Sequence, residues 1–98
     1  MIIITGCIVA RSDTIEQLRR LSLEHVHRSR SEPGCLSHDV HADLENGLRL
    51  VFLETWRDRD AVALHFAVPT SREFVKAARE LAAEPPVIRI YTAEAVAM

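Results

Sequence analysis

Cysteine is scarce in this chain of 98 residues: it occurs only at Cys7 and Cys35, each inside an apolar, strand-like run. There is no C-x-x-C pair and no His/Cys ligand spacing, so two buried free thiols in a reducing cytoplasm are expected rather than a disulfide or a redox pair. Lysine is nearly absent as well. Lys and Arg together number 12 against 14 Asp and Glu, and the charges are dispersed around a net of −2. The basic stripe of a nucleic-acid surface is therefore missing, and no nucleic-acid partner is expected. No apolar run is long enough to cross a membrane. The run Met1 to Ala10 is short and has no basic residue before it, so it reads as neither a signal peptide nor a span. G-x-G-x-x-G, Walker and G-x-S-x-G patterns are also lacking, which leaves no visible cradle for a cofactor. There are no repeats, low-complexity stretches or linkers. Residues 1–98 read as a single cytoplasmic domain whose 48% apolar content is too high for disorder.

What is present alternates between strand and helix patterns. Ile2 to Ala10 is β-branched and unbroken, a strand apolar on both faces. Asp13-Thr14-Ile15-Glu16 has the form of a capping box, with the Asp13 side chain accepting from the Glu16 N–H. The helix after it carries Ile15, Leu18, Leu21 and Val26 on one stripe, with Arg19, Glu24 and Arg28 outside it. Pro33 and Gly34 stop it near Ser31 or Glu32. Cys35 to Asp43 alternates, with Leu36, His38, Val40 and Ala42 on one face. Glu45-Asn46-Gly47 predicts the hairpin turn, and Leu48 to Trp56 returns with Leu48, Leu50, Phe52, Glu54 and Trp56 sharing a face. Asp58 caps a short helix from Arg59 to about Phe66, which Pro69 breaks. Thr70-Ser71-Arg72-Glu73 is a second capping box, opening a helix with Phe74, Ala78 and Leu81 in register. Pro85-Pro86 ends it, and Val87 to Val96 is the last strand. The order β-α-β-β-α(α)-β is the ferredoxin-like α+β arrangement, a four-stranded antiparallel sheet with helices on one face.

Helices on one face leave the other open, yet the first and third strands are apolar on both. A second copy laying its sheet against this one is the simplest cover, so a homodimer through the sheet faces is expected.

Three polar residues stand out on this scaffold. Glu54 sits in mid-strand between Phe52 and Trp56, where a carboxylate needs a partner or a polar pocket. His65, near the end of the short helix, or an Arg is a candidate partner; a Glu–His pair can act as an acid/base unit or serve as a structural ion pair. His38 shares the apolar side of its strand. The His25-Val26-His27 segment points two ways on a helix, and with His41 it offers no recognisable third ligand, so no metal is expected.

Glu32-Pro33-Gly34-Cys35-Leu36, Glu54-x-Trp56-x-Asp58 with His65, and Ser71-x-x-Phe74 together resemble the antibiotic biosynthesis monooxygenase family over nearly the whole chain. The resemblance implies a dimeric α+β barrel with a small pocket between each sheet and its helices. Members oxidise polyphenolic or quinol substrates without metal or flavin; others degrade haem or isomerise a small signalling metabolite. By that resemblance Trp56 lines the pocket with Phe52 and Phe66, while His65, Glu54 and His38 are its polar groups. Two departures are visible. Polyketide-oxidising members carry an Asn where Phe52 stands, and none of the residues by which haem-degrading members hold their ligand is matched here. The expected activity is cofactor-independent monooxygenation of a small aromatic, quinol-like substrate. The alternatives are a non-oxidative isomerase of a small polar metabolite and a non-catalytic dimeric binding module. An aromatic-walled pocket favours the first, a pocket richer in polar groups the second, and a filled space beside Trp56 the third.

Overall fold

The computed structural model describes residues 1–98. Seven elements follow in the order β1 (Ile2–Val9), α1 (Ile15–Ser29), β2 (Cys35–Asp43), β3 (Asn46–Trp56), α2 (Arg59–Ala67), α3 (Pro69–Leu81) and β4 (Val87–Thr92). The strands form one antiparallel sheet in the order β2-β3-β1-β4. This is the ferredoxin-like α+β fold read from the sequence. No helix is long and apolar enough to cross a membrane.

Register determines what meets at the helix-covered face. Ile2, Ile4, Gly6 and Ile8 of β1 lie opposite Trp56, Glu54, Phe52 and Leu50 of β3. On the far side of β3, His38 pairs with Glu54 and Val40 with Phe52. Two apolar clusters result. One gathers Ile8, Leu18, Val26, Leu50, Phe52 and Ala78; the other gathers Ile2, Ile4, Trp56, Ala61 and Val62. Between them the sheet presents Glu54 and His38, both buried. A polar seam thus crosses the core where the two clusters meet.

The local signals that stop and start the helices are partly different from those expected. Asp58 is the cap of α2, its Oδ1 accepting from the Ala61 N–H at 2.9 Å. The Asp13–Glu16 box does not form. Thr14 is the residue before α1, and its hydroxyl accepts from the Arg11 N–H at 3.0 Å and donates to the Leu81 carbonyl at 2.7 Å. A link from the start of α1 to the end of α3 has replaced the local cap. The Thr70–Glu73 box is also absent, because Pro69 does not only end α2: it is the first residue of α3, where a missing N–H costs nothing. The hairpin turn is Leu44-Glu45 rather than Asn46-Gly47. Asp43 accepts from the Glu45 N–H at 2.8 Å and Asn46 from the Leu48 N–H at 3.0 Å, so two side chains shape the turn from its flanks. A bulge between Cys35 and Ser37 throws Leu36 out of the His38 face, leaving it 59% exposed. The last strand ends at Thr92, short of the expected Val96.

Gly34 makes the joint between α1 and β2 possible. Its φ of 79° is open mainly to glycine, and a Cβ there would lie 2.5 Å from the Ala61 Cβ. Its carbonyl accepts from the Arg57 N–H at 2.8 Å, which ties this joint to the start of α2.

Candidate functional site

α1 buries a mixed stripe. Leu18 and Val26 are buried as expected, but so are Ser22, His25 and Ser29. Arg28, expected outside the stripe, is half-buried and turns inward, its Nη2 lying 2.8 Å from His25 Nδ1. A guanidinium only donates, so His25 Nδ1 accepts and the ring's proton sits on Nε2. The His25 ring stacks on Phe74 with centroids 4.2 Å apart and planes 9° from parallel. Burial first, then the neighbouring His38, His65 and Arg28, push its pKa down to about 3. His25 is therefore a neutral donor at neutral pH.

His65, from the last turn of α2, meets three partners. Its Nδ1 is 2.9 Å from Glu32 Oε1, its Nε2 is 3.9 Å from Glu54 Oε1, and its ring lies over Trp56 with centroids 4.6 Å apart. The carboxylate of Glu32 accepts, so Nδ1 carries a proton, and in the neutral ring Nε2 then holds the lone pair. The expected Glu54–His65 pair is thus a loose contact, and the firm carboxylate partner of His65 is Glu32. In the sequence the Glu32-Pro33-Gly34 joint marks where a helix stops. Helix end and Gly34 turn together aim Glu32 at α2, across 33 residues of chain.

Glu54 is held by its own strand and the next. Trp56 Nε1 donates to Glu54 Oε1 at 2.9 Å, and His38 Nε2 lies 3.2 Å from the same oxygen. Trp56 and His38 both have 0% exposure. The geometry of the His38 contact is too oblique for a hydrogen bond, and neither ring nitrogen of His38 has a hydrogen-bonding partner. His25, His38 and His65 form a near-equilateral group with ring centroids 5.2, 5.4 and 5.5 Å apart. His38 and His65 thus come beside His25 from β2 and α2, although neither is near it in sequence.

A cavity of about 440 Å³ opens on this seam. Phe52, Phe66, Phe74, Val75 and Ile88 are its apolar walls, with Gly6 on the sheet beneath. His25, Glu54, His65 and Ser71 are polar and buried, and Arg72 and Arg79 stand on the exposed side. Of the residues anticipated from sequence, Phe52, Phe66, Glu54 and His65 line it. Trp56 and His38, anticipated as walls, do not; they lie behind His65 and Glu54 in the core. The space beside Trp56 is filled by His65 and His38, the arrangement expected of a non-catalytic module, but a cavity opens on the other side of His65. His25, Ser71 and Phe74 also line it and Glu32 stands behind His65, none of them anticipated as a site residue. The only signal for His25 was its place on the buried side of α1, between Ser22 and Ser29 at helical spacing. A wider and more open depression of about 770 Å³, near Met1, Arg57 and Glu94, contains no comparable buried group.

A ferredoxin-like sheet with a buried Glu–His cluster at the foot of a phenyl-walled cavity defines a small α+β pocket protein. The sequence profile of the antibiotic biosynthesis monooxygenase family matches residues 1–77, and the chain belongs to that family. It is 38% identical over 90 residues to sll1783 of Synechocystis sp. strain PCC 6803, covering 92% of this chain and 61% of that protein. The chain thus spans about three-fifths of the length of this curated relative. Among solved structures, a Deinococcus radiodurans protein named for the same family is 28% identical, with 100% of this chain and 98% of that one covered and a TM-score of 0.94. Rv0793 of Mycobacterium tuberculosis is 25% identical over 99% and 98% of the two chains, with a TM-score of 0.90.

Proposed function

We propose that this protein is a cofactor-independent monooxygenase of a small, electron-rich aromatic substrate of the quinol or anthrone type. The family name and that of the Deinococcus neighbour support a monooxygenase role in general terms. The observation that carries the finer reading is the Glu32–His65 pair, which leaves the His65 Nε2 lone pair beside a phenyl-walled cavity. His65 Nε2 takes the proton from the substrate carbon or hydroxyl. Glu32 holds the ring in that tautomer and stabilises the imidazolium that forms. The N–H of His25 Nε2 supplies a donor for the oxyanion left behind. Phe52, Phe66 and Phe74 keep water from the carbanion or phenolate. For a methylene substrate the stoichiometry closes without a cofactor. The CH₂ carbon loses four electrons to become a carbonyl, O₂ gains them, one oxygen enters the product and the other leaves as water with the two protons.

The test is O₂ uptake by chelator-treated protein across a panel of anthrones and hydroquinones. Stoichiometric uptake that falls at least 100-fold in His65→Ala supports the reading, since general base catalysis is worth roughly 10²–10⁴-fold. No uptake above the buffer rate for any member of the panel overturns it.

A second reading, isomerisation of a small polar metabolite, is favoured by one observation. The polar side chains lining the cavity, His25, Glu54, His65, Ser71, Arg72 and Arg79, outnumber its three phenyl rings. Most of the cavity's lining surface is nonetheless apolar, which is why the aromatic substrate is placed first.

The outer face of the sheet carries Ile3, Val9, Val51, Leu53, Val87 and Tyr91, and no helix covers it. That face supports a homodimer packed sheet to sheet. Burying several hundred Å² of apolar surface there contributes on the order of 10 kcal/mol before association costs.

A further inference from the structure

We infer that His38, His65 and Glu54 form a binding site for a divalent first-row transition-metal ion, with its open coordination positions facing the cavity. The inference goes beyond the functional reading above and does not depend on it.

The donor set comes from three different elements, β2, α2 and β3, and converges in the polar seam. Glu54 Oε1 is 3.2 Å from His38 Nε2 and 3.9 Å from His65 Nε2. Two ligands bound to one ion at about 2.1 Å lie roughly 3–3.5 Å from each other, so the two contacts to Glu54 need to close by at most a few tenths of an ångström, while the two histidine rings, whose nitrogens lie within 4.8 Å of each other, draw together around the ion. The oblique approach of His38 to Glu54 has a reason in this arrangement. Ligands of one ion point at a common centre, not at each other. His38 gives the independent sign that something is bound. It is fully buried, and neither nitrogen has a hydrogen-bonding partner, although a buried imidazole without partners is costly.

The outer partners are those a metal site requires. His65 donates from Nδ1 to Glu32 at 2.9 Å, which leaves Nε2 as the ligand atom, and Trp56 Nε1 holds the Glu54 carboxylate at 2.9 Å. His25 is close enough to be a fourth ligand, all three histidines offering nitrogens within 4.8 Å of one another. Its proton is on Nε2, because Arg28 donates to Nδ1. It therefore serves as a donor to a water or anion on the ion. Two imidazoles and one carboxylate suit Fe(II), Co(II), Ni(II) or Zn(II) better than Mg(II) or Ca(II), which prefer all-oxygen sets. Glu54 and His65 border the cavity while His38 lies behind them, so the vacant positions open towards a ligand. A bound ion uses the same His65 lone pair that the base needs, so the two uses exclude each other at any moment, and each can fail alone.

The experiment titrates chelator-stripped, unmutated protein with Co(II), read by calorimetry and by the visible bands of a four- to six-coordinate N/O site. One ion per chain at micromolar affinity or better is expected. Glu32→Gln, which disturbs only the outer partner, should weaken binding roughly 10–100-fold, and His38→Ala at least as much. His41→Ala, on the opposite face of β2, should bind as the parent does. Because His38→Ala removes a buried ring and risks misfolding, Zn(II) is also added to the unmutated protein, and histidine side-chain nitrogens are followed by NMR. Movement of His38 and His65 signals with His41 unmoved supports the site. Absence of Co(II) binding, or binding that His41→Ala removes while His38 signals stay in place, overturns it.

Discussion

Glu32 Oε1 and His65 Nδ1 lie 2.9 Å apart although 33 residues separate them, and only the side chain of His65 lines the cavity. Glu32 is thus a positioning residue, acting through the ring it holds. Glu32→Ala removes the acceptor from Nδ1–H and lets the ring turn. A fall in kcat of about tenfold or more with an unchanged KM is the expected result, because the substrate surface is intact. Glu32→Gln retains an acceptor oxygen and should recover part of the loss. Equal effects on kcat and KM, or no rescue by Gln, would sink the assignment.

The geometry of that pair depends on Gly34. Gly34→Ala must place a non-glycine residue at φ 79° and a methyl 2.5 Å from the Ala61 Cβ. The backbone conformation costs roughly 1–2 kcal/mol and the overlap roughly 1–3 kcal/mol, so a loss of about 2–5 kcal/mol is expected. Thermal or urea unfolding measures it. A loss under 1 kcal/mol shows that α2 yields easily, and the rigid placement of His65 would then need another cause.

The sheet's outer face gives a prediction about assembly. Leu53 is 43% exposed in the single chain and pairs with Thr5 on one side and Asp39 on the other, at the middle of the open face. Leu53→Glu adds a charge beside Asp39 where a second sheet is proposed to pack. Sedimentation at micromolar concentration should show a dimer for the parent and a monomer for the variant. A parent that sediments as a monomer removes the case for the sheet-to-sheet pair.

Which parts of this were legible in the sequence follows from the range of the forces involved. Strand alternation is local, so β2 was read from Cys35 to Asp43, and Phe52, Glu54 and Trp56 were correctly placed on one face. Asp58 was legible as a cap because its acceptor reaches only to Ala61. The Asp13–Glu16 box failed because a tertiary partner replaced the local one, Thr14 reaching Leu81; the Thr70–Glu73 box failed for a local reason, Pro69 having already started α3. His65 and Glu54 were recognisable as polar residues in apolar surroundings. The Glu32–His65 pair was not, since Glu32 arrives through the fold and nothing in its neighbours announces that. Trp56 looked like a wall because strand position fixes a face but not a depth. Its Nε1 bond to Glu54 and the His65 ring over it put it a layer below.

His25 supplies a pH dependence whose sign can be worked out. Its pKa is about 3 in the fold, against 6.5 for the free side chain, so the unfolded chain binds more protons between those values. The stability it contributes is fully present above pH 6.5 and is lost as the pH falls towards 3, with a slope of up to about 1.4 kcal/mol per pH unit. The groups facing it are Arg28 on its own helix, His38 from β2, His65 from α2 and the uncharged Phe74 ring from α3. Each of the first three opposes a charge on His25. His25→Gln removes the titrating ring and keeps an acceptor for Arg28. Urea unfolding from pH 7 to pH 4 should therefore show a steeper loss of stability for the parent than for His25→Gln. Parallel curves for the two proteins would mean that His25 takes up no extra proton on unfolding, and the neutral donor assigned to it in the cavity would lose its basis.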